Sequence, residues 1–152
     1  MDEFRVFCSW QNDYPKNRRI IRNALDQIVE DFAFRVSIEI DEATRKTSGS
    51  PNIVQSILDK ICAADLVVGD VTNIASGESG REIPNPNVIY EMGYATSILG
   101  EDRVIFLLNK KLGSPDNCPF DFKHRRITGF GEVDRKICMD IVRDVSASIE
   151  IL

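Results

Sequence analysis

The chain has 152 residues, 43% of them hydrophobic and 28% charged, with a formal net charge of -5. That length suits one domain with one good core, and the acidic balance argues against a general nucleic-acid binder. No apolar run approaches the roughly 18 residues that span a membrane, and the opening MDEFRVFCSW is too acidic to be a signal peptide.

In chain order, FRVFCSW (4–10) is apolar and aromatic and predicts a first strand. Residues 15–32 place Ile21, Leu25, Ile28 and Phe32 at helical spacing, with Pro15 at the first position. FRVSIEI (34–40) alternates, as a half-buried strand at a sheet edge does. The polar stretch 41–50 predicts a loop. A helix over 50–62 would open on a Ser50 cap and Pro51 and bury Ile53, Ile57 and Ile61. DLVVGDVT (65–72) has the continuous apolar character of a buried parallel strand.

Residues 73–85 predict a long loop, a length that is uncommon unless functional or mobile. The next helix, 85–100, has Asn85 as cap, Pro86 at its first position and Gly100 as its stop. RVIFLL (103–108) is another buried strand, 109–125 is irregular, and RITGF (126–130) is a short last strand. Residues 132–152 predict a helix with Val133, Ile137, Ile141, Val145 and Ile149 in register; its apolar period has no stop signal, which implies a chain that continues. None of Cys8, Cys62, Cys118 and Cys138 forms a close pair, so neither a zinc site nor a redox motif is expected. Cys8 and Cys62 read as small core residues, and a reducing cytoplasm is the expected location.

The resulting βαβαβαβαβα pattern predicts one doubly wound domain over 1–152, with helices on both faces of a five-stranded parallel sheet of order 2-1-3-4-5. Ligands of such sheets bind beyond the carboxyl ends of the strands at the switch point, here between strands one and three. The polar segments SWQND (9–13) and GDVTN (69–73) fall there, and the helix over 85–100 follows. On that helix Val88, Met92, Ala95 and Leu99 form a core stripe, and Asn87, Glu91, Tyr94 and Ile98 a second one beside it. Glu91 therefore stands at the core margin, past the first turn where a helix dipole helps an anion. A charge there costs stability unless it is paired or used.

FCSWQND (7–13) resembles the opening signature of TIR domains. DVTNIASGESGREIPNPNVIYEMGYA (70–95), with Asn-Pro-Asn and Glu-x-Gly-Tyr-Ala in frame, is similar to the stretch of bacterial TIR-like proteins that carries a functional glutamate. The likeness runs from Phe4 to about Asn109. It implies a flavodoxin-like fold, NAD+ glycohydrolase activity, a role in antiphage defence and homotypic TIR–TIR assembly, the alternative being a non-catalytic TIR assembly module. It further implies Glu91 as the catalytic carboxylate, with Ser9, Trp10 and Asp13 near substrate. The loop over 41–50 departs from the eukaryotic receptor version. The second motif also resembles nucleoside 2-deoxyribosyltransferases, which cleave an N-glycosidic bond too.

One carboxylate suffices for this chemistry. Nicotinamide leaves NAD+ as a neutral group, without the protonation a leaving oxygen needs. What remains is to stabilise a ribosyl cation with a preorganised anion or to capture it covalently. Asp70 and Thr72 read either as ribose ligands or as a turn and cap. Asn87 and Tyr94 share the Glu91 face, and Trp10 reads as a ring-stacking surface or as core. His124, the one histidine, lies in a basic run. No metal is expected. With no Gly-x-Gly-x-x-Gly stretch, NAD+ is expected as a consumed substrate and not as a retained cofactor.

Overall fold

The computed structural model describes residues 3–43, 52–119, 125–131 and 137–152. Its main sheet contains β1 (Glu3–Ser9), β2 (Ser37–Glu42), β3 (Leu66–Asp70), β6 (Val104–Asn109) and β7 (Ile127–Phe130). All pairings are parallel and the order is β2-β1-β3-β6-β7. This is the expected flavodoxin-like order, with two hairpin strands inserted in the numbering. The helices are α1 (Pro15–Phe32), α2 (Ile53–Cys62), α3 (Pro86–Leu99) and α4 (Met139–Ile151).

Side-chain alternation divides each strand between two cores. Val6, Cys8, Leu66 and Val68 face α1 and α4, meeting Ile21, Leu25, Ile28, Ile141 and Val145. Phe7, Val67, Val71 and Phe106 face α2 and α3, meeting Ile61, Val88, Met92 and Ala95. β3 is buried along its whole length because both faces are covered. β2 pairs with β1 alone among the described strands, so it is the edge its alternation predicts.

Several expectations are corrected. The segment over 73–85 is not a plain loop: β4 (Asn73–Ser76) and β5 (Glu82–Pro84) form an antiparallel hairpin. β2 begins at Ser37, and Phe34 is 95% exposed, because the turn after α1 carries it clear of the sheet. Asn52 caps α2 by accepting from the Gln55 amide at 3.2 Å; Ser50 and Pro51 lie outside the described residues. Ile53 is 58% exposed, Ile57 half-buried and Ile61 fully buried, so α2 sinks onto the sheet only as it descends. Cys62 is exposed at the end of that helix, whereas Cys8 is buried as expected. Described residues between β6 and β7 hold only a 3-10 turn at Pro115–Asn117, in keeping with the irregular segment expected over 109–125. α4 starts at Met139, later than expected; Val133 and His124 fall outside the described residues.

Candidate active site

β1 ends at Ser9, whose register partner on β3 is Gly69. Alternation turns Ser9, like Phe7, toward α3. Its hydroxyl donates to Oε2 of Glu91 at 2.6 Å, joining residues 82 apart in sequence. Glu91 is half-buried in the second turn of α3. Burial pushes its carboxyl above the ordinary range, and the Ser9 bond draws it partly back. Among the described residues no lysine, arginine or histidine pairs with it.

α3 is held in place from both ends of its first two turns. Asn85 caps it, accepting from the Asn87 amide at 2.8 Å, and donates its own amide to Asp13 Oδ2 at 2.8 Å. The loop after β1 is thereby latched to the helix that carries Glu91. One turn further on, Met92 lies over Gly69 so closely that a Cβ at position 69 would fall 2.2 Å from the Met92 sulfur. Gly100 ends the helix at φ 86, a conformation that glycine adopts without strain.

Beneath the switch point lies a buried polar network. Asp70 Oδ1 accepts from the Thr72 hydroxyl at 2.6 Å and the Thr72 amide at 3.0 Å, while Oδ2 accepts from Asn17 at 3.2 Å. Asn109 donates its side-chain amide to Asn17 at 2.8 Å and its backbone amide to the Thr72 hydroxyl at 3.0 Å. Gln11 donates to the Thr72 carbonyl at 2.9 Å. Burial raises the Asp70 carboxyl, and the surrounding donors oppose that rise.

The expected site residues therefore separate. Ser9 and Glu91 meet, and Asp13 reaches the start of α3. Asp70 and Thr72 are 1% and 0% exposed, and their hydrogen bonds join β3 to α1 and β6 instead of pointing outward. Asn87 is exposed one turn before Glu91. Tyr94 points elsewhere: its hydroxyl meets the Cys62 sulfur at 3.1 Å, at the far end of α2. Trp10 packs toward the α1 core, with the Arg18 guanidinium 4.9 Å over its ring. Sequence reasoning missed Asn17, which stands on the apolar stripe of α1 with Ile21, Ala24 and Ile28, a signal of the same kind as Glu91. It also missed Asn109, at the end of an apolar strand.

A parallel sheet of this order, with a carboxylate and a serine meeting at its switch point, defines an α/β domain of the flavodoxin-like type. The chain belongs to the family described as CAP12/Pycsar effector protein, TIR domain, whose profile matches residues 15–118. No curated protein matches the sequence. Among solved structures, the 2-deoxyribosyltransferase from Leishmania mexicana is similar in fold, with a TM-score of 0.51 at 16% identity over 70% of this chain. The chain spans 65% of that enzyme's length. The CMP N-glycosidase BcmB from Clostridium botulinum aligns with a TM-score of 0.48 and 14% identity, over 97% of this chain and 99% of its own.

Proposed function

We propose that this domain cleaves the N-glycosidic bond between nicotinamide and ribose in NAD+. The observation that carries the reading is Glu91: a half-buried carboxylate with a serine donor and no cation partner among the described residues. A carboxylate kept for structure is ordinarily paired, because burying a lone charge is costly. A cationic pyridinium ribosyl group supplies the missing partner. As the C–N bond lengthens, positive charge moves onto the ribosyl carbon, and a fixed anion beside it stabilises that charge more than water does. The electron pair leaves with neutral nicotinamide, so no second carboxylate is required. Ser9 holds Oε2, leaving Oε1 to face the sugar. Asp13 and Asn85 hold the helix, and Asn87 lines the approach.

The test is nicotinamide release from NAD+ by concentrated protein. Glu91→Gln is expected to lower the rate about 10²- to 10³-fold, the range for losing one preorganised electrostatic group. Unchanged release by the variant, or none by wild type at any concentration, defeats the reading. As an effector the domain is proposed to work in homotypic assemblies in the cytoplasm, in antiphage defence. A rate per protomer that rises with concentration supports assembly, and a flat rate opposes it. Deoxynucleosides offered in place of NAD+ distinguish a deoxyribosyl-transfer activity, which the same carboxylate serves equally well.

A further inference from the structure

The geometry points to Gly69 as the residue that positions Glu91, acting through Met92. The inference rests on Glu91 being the working carboxylate.

Gly69 occupies the middle of a row on the α3 face of the sheet, between Ser9 on β1 and Phe106 on β6. Both neighbours project side chains toward α3, and Gly69 leaves a gap that Met92 fills. A Cβ there would lie 2.2 Å from Met92 Sδ, 2.7 Å from Cε and 2.8 Å from Cγ. Backbone conformation does not demand glycine, because among the described residues the positive-φ glycines are Gly80 and Gly100. Space does.

Met92 yields most easily at its flexible end, Sδ and Cε, and its burial limits even that. It is 0% exposed and shares its stripe with buried Val88 and Ala95. The collision also reaches back to Cγ, close to the helix backbone. A methyl group at 69 is therefore relieved by lifting the helix, on the order of 1 Å, a displacement of the size that costs a reaction about 10²-fold. Glu91 precedes Met92 on the same turn, and its 2.6 Å bond runs to Ser9, the register partner of Gly69. The helix cannot lift over Gly69 without drawing Glu91 away from Ser9. The depth at which α3 sits thus sets the position of the carboxylate.

The experiment compares wild type, Gly69→Ala, Met92→Ala and Gly69→Ala/Met92→Ala. Glu91 is titrated by carboxyl 13C NMR, and NAD+ turnover is measured across pH. Gly69→Ala is expected to raise the Glu91 pKa, as loss of the Ser9 bond does, and to lower kcat about 10²-fold with a smaller change in KM. Adding Met92→Ala frees the space and is expected to return both toward the Met92→Ala values. A Gly69→Ala protein in which Glu91 titrates and turns over as in wild type overturns the inference. So does a double variant whose Glu91 titrates away from Met92→Ala, and this comparison decides the matter if Gly69→Ala alone fails to fold. The titrations need no turnover: a wild type inert toward NAD+ ends the proposed function, while NMR still judges Gly69.

Discussion

Burial makes Glu91 a burden on the fold at neutral pH. Unfolded, it ionises near 4.5; folded, burial delays ionisation. The folded state therefore holds a proton that the unfolded state releases, so stability falls as pH rises through the folded value and the ionised group then stands at its full cost. Glu91→Gln is expected to raise the Tm at about pH 7 and to leave it nearly unchanged below about pH 4, as thermal melts at both values will show. Ser9→Ala removes the bond that opposes this rise. The acid limb of the pH–rate profile should move to higher pH, with turnover lowered about 10- to 100-fold, the worth of a hydrogen bond to a charged group. The reason to single out Glu91 was legible in sequence, since a charge on a helix interrupts a 3.6-residue period visibly. The resemblance placed Ser9 near the same site, but its bond to Glu91 was not legible. Ser9 is one small polar residue at a strand end, and only the β1–β3 register brings it under α3.

Elements are joined here by polar bonds as well as by apolar packing. The Thr72 hydroxyl donates to Asp70 and accepts from Asn17 and the Asn109 amide. Thr72→Val leaves all three groups short of a partner and should cost about 2–3 kcal/mol in urea unfolding. Asn85→Ala removes both the α3 cap and the latch to Asp13. It should cost about 1 kcal/mol and lower turnover by more than that loss of stability explains. Long elements were readable because the apolar period and a proline at the first position agree: α1 spans Pro15–Phe32 as its spacing predicts. The β4–β5 hairpin was not, because strands of 4 and 3 residues are too short to show alternation and their pairing shifts register near Asn73. Exposure of Cys62 was hidden for a related reason: apolar neighbours in sequence lie on other sides of a helix.

At the scale of the molecule, the strand order followed from the run of apolar segments, because a strand covered on both faces can carry no polar alternation. The placement of Asp70 and Thr72 did not follow. A polar pair after a strand serves either a ligand or the seam between elements, and the choice depends on Asn17 and Asn109, whose approach is a tertiary fact. The seat of α3 has one more consequence. Met92 carries a thioether sealed at 0% exposure between helix and sheet. Peroxide converts a thioether to a sulfoxide only where it can reach it, so the sulfur can react only while α3 stands away from β3. The rate of Met92 oxidation, followed by mass spectrometry, therefore measures how often the sulfur is uncovered, whether by that opening or by unfolding of the whole chain.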